Sequence, residues 1–240
     1  ITKLQILNGS KPIEFLKNIN KKWQLNLPPP VRTDKSAIEG LVASLENGQM
    51  QSVVKEEPSN LAKYGLSRPN LRIRTIEAKR KSELWIGKKT NESHYFAMEK
   101  GKGPIFTVFD TLVNQFKKPS VDFRNNKLFD FSTFNTQSIE IKTPDRQIKL
   151  EKQDSGWESV TGEKVTPDQD KISKFLTDLS GIRIENFVTD QPASLSTYGL
   201  SSPSVSIKIN WGQDRQEIIS FGESKKIPFA KRRDSETIFK

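Results

Sequence analysis

The feature that most constrains this chain is a nine-residue stretch that occurs twice. Residues 61–69 read LAKYGLSRP and residues 195–203 read LSTYGLSSP, so the two tyrosines stand 134 residues apart. The same spacing relates Trp23 to Trp157. A spacing that stays constant between such different landmarks predicts that the chain is a tandem duplication of one folding unit.

The length of the chain fits two such units, since each copy is large enough to enclose its own hydrophobic core. We predict a first repeat over residues 1–134, which is complete, and a second over residues 135–240, which lacks the C-terminal end of the first. Both ends of the chain read as cut within a longer protein. Neither the oligomeric state nor joint binding by the two repeats follows from the sequence.

Charge is divided unequally between the repeats. The first repeat has 23 Lys and Arg against 13 Asp and Glu, whereas the second has 16 of each, so the first carries the entire net charge of +10. This asymmetry favours an anionic partner for the first repeat: lipid head groups, an envelope polymer or nucleic acid. A basic chain that is merely soluble is the alternative.

Apolar periodicity predicts an α+β fold. Each repeat opens with short alternating segments typical of an antiparallel meander, with a first turn at residues 8–10. A proline step at residues 28–30 then leads to Asp34, which can cap a helix with one apolar stripe, and Asp168 occupies the corresponding position in the second repeat. We expect each repeat to be a mostly antiparallel sheet with a helix packed on one face.

The repeated stretch, here called the Tyr-Gly-Leu motif, is predicted to be structural. Its glycine is suited to a left-handed or tight-turn conformation, and its proline sets the entry into an extended strand. The residues concerned are Tyr64, Gly65, Leu66 and Pro69 in the first copy and Tyr198, Gly199, Leu200 and Pro203 in the second.

Residue chemistry argues against catalysis. The chain has no cysteine, which excludes disulfides and thiolate chemistry, and its one histidine, His94, has no second histidine with which to share a metal. No carboxylate pair can be nominated for acid–base work. We therefore expect no enzymatic activity, no metal and no cofactor. A hydrolase with an unrecognised site stays as an alternative, and a deep pocket gathering carboxylates around His94 would favour it.

Two glycine–lysine stretches resemble phosphate-binding loops, but neither has the glycine spacing or the following helix that such a loop needs. The stretch at residues 87–90 reads GKKT, yet Ser82 stands where a phosphate loop needs its first glycine. The stretch at residues 100–104 lies between two strands and opens no helix. Both are predicted to be turns.

Dense basic clusters are the candidates for binding a partner, although a solvated turn is the default interpretation of each. The tryptophans at 23 and 157 recur between the repeats, which favours a core role over base stacking and makes nucleic acid an unlikely ligand. The candidate partner-binding residues are Lys79, Arg80, Lys81, Lys88, Lys89, Lys231, Arg232 and Arg233.

The order of landmarks resembles one bacterial family. A tryptophan closes a hairpin, a proline-rich step leads into an Asp-capped helix, and the Tyr-Gly-Leu motif, a strand and an Ile-Gly pair follow. The segment at residues 122–131, DFRNNKLFDF, matches as well. On these residues the whole chain resembles the family known as domain of unknown function 4340, in about one and three-quarter copies.

The resemblance implies a location and a partner. Such proteins have an N-terminal membrane helix and are commonly encoded beside ABC transporters of the gliding-motility type. It therefore implies a non-catalytic extracytoplasmic protein, anchored by a helix that this chain lacks, with membrane transporter subunits as partners. An anchor of that kind would hold the basic first repeat close to an anionic lipid surface. A binder of anionic polymer is the alternative.

Overall fold

A computed structural model describes residues 1–9, 12–26, 31–90, 93–161 and 166–240. The chain divides into two compact units, Ile1–Asn125 (unit 1) and Asn126–Lys240 (unit 2). The boundary after Asn125 lies earlier in the chain than the predicted boundary after residue 134. The reason is that Leu128 and Phe129 pack into the core of unit 2. The predicted proline step at 28–30 and the end of the predicted turn at Ser10 lie outside the described residues.

Unit 1 contains an eight-stranded sheet with the strand order β3-β2-β1-β5-β6-β7-β8-β4, and its described pairings are antiparallel. The strands are β1 (Lys3–Asn8), β2 (Ile13–Lys17), β3 (Trp23–Leu25), β4 (Ser52–Lys55), β5 (Leu71–Glu77), β6 (Arg80–Lys89), β7 (His94–Glu99) and β8 (Ile105–Phe109). The helices are α1 (Lys35–Glu46) and α2 (Asp110–Gln115).

Unit 2 contains a second eight-stranded sheet, with the order β11-β10-β9-β13-β14-β15-β16-β12. Its strands are β9 (Thr136–Lys142), β10 (Gln147–Gln153), β11 (Gly156–Thr161), β12 (Phe187–Thr189), β13 (Val205–Trp211), β14 (Arg215–Ser224), β15 (Ile227–Arg232) and β16 (Ile238–Phe239), and its helix is α3 (Gln169–Gly181). Taken in chain order, each strand of unit 2 occupies the place of its counterpart in unit 1. Two mostly antiparallel sheets with few helices make an α+β fold.

The predicted helix caps are confirmed. The Asp34 carboxylate accepts a hydrogen bond from the backbone N–H of Ala37 at 3.0 Å, and Asp168 accepts one from Lys171 at 3.0 Å. A side-chain acceptor at this position satisfies an N–H that the first helical turn leaves without a partner. The buried face of α1 lies in the core with strands β1, β5 and β6, and includes Ile38.

The meander tryptophans are core residues, as predicted. Trp23 and Trp157 are both buried. Trp23 is the first residue of β3, and Trp157 is the second residue of β11. Pleated strands place alternate residues on opposite faces, so these strands bury one face and expose the other. No helix among the described residues is long and apolar enough to cross a membrane.

The Tyr-Gly-Leu motif forms a short 3-10 turn in each unit, at Leu61–Tyr64 and Ser196–Tyr198. Gly65 and Gly199 follow with φ of 71° and 68°, which confirms the predicted left-handed conformation. Tyr64 packs edge to face on Phe96, with ring centroids 5.1 Å apart, and the corresponding pair in unit 2 is 5.2 Å apart. The motif therefore covers part of the sheet face opposite the helix.

A second glycine makes this packing possible. The turn lies so close to β6 that a Cβ at Gly87 would be 2.1 Å from the carbonyl oxygen of Tyr64. A Cβ at Gly222 in β14 would likewise be 2.3 Å from the carbonyl oxygen of Gly199. Only glycine allows two backbones to approach this closely.

Candidate functional site

The strongest candidate site is an open cleft of about 620 Å³ in unit 1, here called the basic cleft. It lies where the β5–β6 hairpin meets the turn that follows β7. Its charged lining residues are Arg74, Arg80, Lys81, Glu83, Glu99, Lys100 and Lys102.

Strand register explains how these residues come together. In the β5–β6 hairpin, Arg74 lies opposite Glu83 and Glu77 lies opposite Arg80. Because side chains alternate between the faces of a strand, Arg74 and Glu83 lie on the face opposite the core residue Ile73. The turn at residues 100–103 then brings two further lysines to the same edge.

Glu83 is the acidic centre of the cleft. Its carboxylate accepts hydrogen bonds from Arg74 Nε at 2.7 Å and Trp85 Nε1 at 2.8 Å, and Lys100 Nζ lies 3.9 Å away. Burial raises the pKa of Glu83, but the hydrogen bonds from Arg74 and Trp85 outweigh it and hold the pKa below its ordinary value. Glu83 is therefore ionised at neutral pH and orients Arg74.

Two cations of the cleft form no ion pair among the described residues, although Arg80 is close enough to Glu77 for a Coulombic attraction. Within the described ranges, no carboxylate oxygen lies within 4.0 Å of the Arg80 or Lys81 head group. The Lys102 ammonium, by contrast, pairs with Glu99 at 2.9 Å. With five cations against two carboxylates, the cleft has an excess of positive charge, and its guanidinium and ammonium groups can donate hydrogen bonds to phosphate or carboxylate oxygens.

The other predicted basic residues of unit 1 lie elsewhere. Lys79 belongs to the exposed turn beside the cleft, but Lys88 and Lys89 lie at the far end of β6, about 23 Å from Lys81 at about 3.3 Å per residue. Residues 87–89, predicted as a turn, belong instead to β6, because the strand continues through an irregularity after Ile86. Lys89 forms an ion pair with Asp110 at 3.1 Å.

The predicted C-terminal cluster is not an exposed basic turn, and this expectation is corrected for Arg232. Arg232 closes β15, is only 2% exposed, and lies 3.4 Å from the Glu217 carboxylate. Its guanidinium donates hydrogen bonds to the backbone carbonyls of Leu128 and Lys127. Strand alternation turns this side chain into the core.

Of the two flanking residues of this cluster, Lys231 differs from the prediction and Arg233, in the turn after β15, agrees with it. The Lys231 side chain, at the same strand end, is mostly covered and lies 3.6 Å from Glu236. Arg233 is exposed. The two units therefore expose quite different basic surfaces.

No feature of the described residues points to catalysis at His94. The imidazole lies in β7 and stacks on Phe109, with ring centroids 4.9 Å apart. Over the ranges that the structure describes, no three His, Cys, Asp or Glu residues are grouped so that they could hold a metal ion.

Sequence reasoning missed five charged members of the basic cleft: Arg74, Glu83, Glu99, Lys100 and Lys102. The alternation in β5 indicates that Arg74 lies on the exposed face, but the hairpin register that joins it to Glu83 is a tertiary property. The turn at residues 100–104 was predicted correctly, although its position against β6 was not.

The comparisons agree with the motif order described above. A family model described as "Domain of unknown function (DUF4340)" matches residues 23–203, which is more than half of the chain. Neither the curated proteins nor the solved structures contain a match. The matched range includes the first tryptophan, the capped helix and both copies of the Tyr-Gly-Leu motif, and the chain therefore belongs to the domain of unknown function 4340 family.

Proposed function

We propose that this chain is a non-catalytic interaction module, and that it acts as an accessory component of an ABC-type membrane transporter on the extracytoplasmic side of the membrane. Membership of the family supports the proposal through the resemblance described above. The transporter subunits are the proposed partners, and the basic cleft of unit 1 is the proposed point of contact with an anionic surface.

The proposed architecture is a duplicated one, in which each unit is an antiparallel sheet with a helix packed on one face. It is supported by the identical strand order of the two sheets and by capped helices at the same place in both. Duplication followed by divergence accounts for two units that share a framework and differ on their surfaces.

The observation that carries the functional proposal is the charge difference between these two similar frameworks. Unit 1, residues 1–125, has 22 basic and 12 acidic residues, whereas unit 2 has 17 of each. Fold stability does not require this difference, since the neutral unit has the same strand order. A net charge of +10 on one unit favours association with an anionic surface.

The first experiment tests the transporter. The tagged protein is expressed in its native membrane, the membrane is solubilised mildly, and the co-purifying proteins are identified by mass spectrometry. We expect permease and ATPase subunits. Their absence, with the protein recovered alone or with a soluble polymer, would overturn the accessory role.

The second experiment tests the anionic surface. Co-sedimentation with vesicles containing phosphatidylserine is compared for the parent chain and for Arg80→Gln/Lys81→Gln. Each basic residue near such a surface contributes about 1 kcal/mol, so the double variant should bind about 30-fold more weakly. The matched control is Lys225→Gln/Lys226→Gln, which removes two exposed lysines from unit 2 and should leave binding unchanged.

A second candidate function is binding to a soluble anionic polymer. The head groups of Arg80 and Lys81, which form no ion pair within the part of the chain that the structure describes, favour it. Affinity for such a polymer falls steeply with salt because counterions are released on binding. Binding to a polyanion near physiological ionic strength, without binding to anionic vesicles, would favour this candidate over the lipid surface.

A further inference from the structure

A second open pocket of unit 1 lies on the sheet face that carries the Tyr-Gly-Leu motif, near the start of β5 and away from the basic cleft. We call it the Trp85 pocket. Its volume is about 900 Å³, which is within the range of ligand pockets. Its lining includes Leu7, Ser67, Arg68, Asn70, Arg72 and Trp85.

Strand register places three of these side chains in one row across the sheet. Arg72 in β5 lies opposite Leu7 in β1 and opposite Trp85 in β6. Directly opposed residues of antiparallel strands are nearest neighbours on one face of the sheet. The row continues to Met98 in β7, which is buried together with the motif. The pocket therefore begins where the cover provided by the motif ends, and residues 67–70 line one side of it.

The indole of Trp85 is fixed in orientation and yet partly exposed. Its Nε1 donates a hydrogen bond to Glu83 at 2.8 Å, and the ring packs against a small cluster that includes Leu66 and Met98. Lys100 Nζ lies 6.0 Å from the ring centroid, at the outer limit of a cation–π contact. An aromatic ring held in this way can stack on a ligand without a further loss of side-chain entropy.

Two arginines give the Trp85 pocket its positive charge. Arg68 is exposed and Arg72 is half-buried, and in the part of the chain that the structure describes neither guanidinium forms an ion pair or a hydrogen bond. No carboxylate belongs to the described lining of the pocket. A third cation, Lys117, donates a hydrogen bond to the Tyr95 hydroxyl at 2.7 Å. The two guanidinium groups can therefore donate paired hydrogen bonds to an anion.

Unit 2 has serine at all three corresponding positions. The alignment of the two motif copies gives the first pair, and the second and third pairs follow from the strand register, in which Ser206 lies opposite Ser220. The same strand order forms with these serines, so the fold does not require two arginines and a tryptophan here. The matched pairs are Arg68 and Ser202, Arg72 and Ser206, and Trp85 and Ser220.

The chemistry of this pocket fits an acidic sugar. The C–H bonds on one face of a pyranose ring carry partial positive charge and complement the negative face of an indole. Asn8, Ser67 and Asn70 also line the pocket, and their side chains can both donate and accept, as sugar hydroxyls do. Single-stranded nucleic acid fits less well, because it stacks successive bases on several aromatic residues, whereas Trp85 is the one aromatic residue in the described lining.

We propose that the Trp85 pocket binds an acidic saccharide, with a sugar ring stacked on Trp85 and its carboxylate or phosphate held by Arg68 and Arg72. This inference goes beyond the proposed function, because it concerns another site and a ligand recognised by its ring as well as by its charge.

The test is an NMR titration of the isotope-labelled full chain with two probes, trigalacturonate for the carboxylate and glucose-6-phosphate for the phosphate. We expect a saturable shift of the Trp85 indole N–H signal, which is assigned by its loss in Trp85→Ser. The dissociation constant of the tighter probe should be on the order of 0.1–1 mM, and the identity of that probe shows which anionic group the pocket prefers. Neutral maltotriose should bind about tenfold more weakly or less, because it cannot form charge-assisted hydrogen bonds.

Variants that introduce the serines of unit 2 test the named side chains. Arg72→Ser should weaken binding of the tighter probe about tenfold or more, because a hydrogen bond to a charged group is lost. Trp85→Ser should weaken it about fivefold through the loss of stacking. Calorimetry checks that both variants fold, and Arg72→Ser alone decides the outcome if Trp85→Ser unfolds unit 1. The matched control is Lys142→Ser, which removes an exposed cation opposite Ser206 in unit 2 and should bind like the parent.

A further control separates this pocket from the basic cleft. Arg80 and Lys81 lie about 13–17 Å from Trp85 along β6. At about 0.15 M salt, charges separated by more than about 8 Å are largely screened. Arg80→Gln/Lys81→Gln should therefore bind the saccharide like the parent even though it loses binding to anionic vesicles. An equal loss of both activities would mean that the saccharide reads only the net charge of the unit, which would overturn the inference.

Three other results would also overturn it. The first is the absence of a Trp85 shift with either probe up to about 10 mM, well above the expected dissociation constant. The second is unchanged binding by Arg72→Ser, or binding of inorganic phosphate as tight as that of the sugar probes. The third is tighter binding of a short oligothymidylate, which would assign the pocket to single-stranded nucleic acid.

Discussion

Replacing Gly87 by alanine tests whether the Tyr-Gly-Leu motif is held in place by a contact between two backbones. An added Cβ would lie 2.1 Å from the carbonyl oxygen of Tyr64 and 3.1 Å from Leu66 Cγ. Carbon and oxygen atoms without a bond between them need about 3.3 Å, so the turn must move away from β6 by about 1 Å. Both contacts are with the motif itself, so a change of rotamer elsewhere cannot relieve them.

The energetic cost follows from what this movement uncovers. Leu66 is fully buried in a small cluster with Met98 and Ile105, on the face of the sheet opposite α1. Overpacking of this kind costs about 1–3 kcal/mol, and partial loss of Leu66 burial adds about 1 kcal/mol. We expect Gly87→Ala to destabilise unit 1 by about 3 kcal/mol.

Differential scanning calorimetry is the appropriate assay, since the two compact units can give separate transitions. For a unit of this size, 3 kcal/mol lowers the midpoint of the first transition by about 12 °C. The counterpart Gly222→Ala should lower the midpoint of the unit 2 transition instead, because its Cβ would meet the Gly199 carbonyl at 2.3 Å.

Gly40→Ala is the matched control. Gly40 is an exposed position within α1, and a Cβ there meets no atom within 4 Å. Alanine is the better helix former, so this variant should be more stable by about 0.5–1 kcal/mol. If Gly87→Ala left the unit 1 midpoint within about 3 °C of the parent value, corresponding to less than about 1 kcal/mol, the reasoning would be refuted.

Three further predictions concern charged residues that are buried, ion-paired or placed at a helix cap. Arg232→Met leaves Glu217 buried without its cation and should destabilise unit 2 by about 3–5 kcal/mol in calorimetry, with partial recovery when Glu217→Leu is added; an additive loss would show that the pair is uncoupled. Glu83 has a lowered folded-state pKa, so its stabilisation is present above its unfolded pKa of about 4.3 and is lost as the pH falls through the folded value. Between about pH 5 and about pH 3, Glu83→Gln should therefore lose less unit 1 stability than the parent, and an equal loss would contradict the assignment. Asp34→Ala removes the cap of α1 and should cost about 1 kcal/mol of unit 1 stability by urea unfolding, whereas no change would mean that the bond to Ala37 contributes nothing.

Local interactions account for what could be predicted from the sequence. A carboxylate before an apolar stripe caps a helix through a hydrogen bond that spans three residues, so Asp34 and Asp168 identified the starts of α1 and α3. The left-handed conformation after Tyr64 and Tyr198 is also a local property, because steric limits at a single Cα favour glycine at such a position. The repeat spacing also indicated the corresponding strands, since it aligns alternating segments without reference to their partners.

Contacts between distant residues account for what the sequence could not show. The basic cleft depends on the register that joins Arg74 to Glu83 and on a turn that brings Lys100 to the same edge. Arg232 was predicted as a surface cation because its neighbours are basic, and only the fold reveals that strand alternation places it against Glu217. The charge asymmetry, the recurrence of the Tyr-Gly-Leu motif and the helix caps were thus determined by the sequence itself. The structure alone decided which cations are exposed, because burial depends on residues that meet only when the sheet forms.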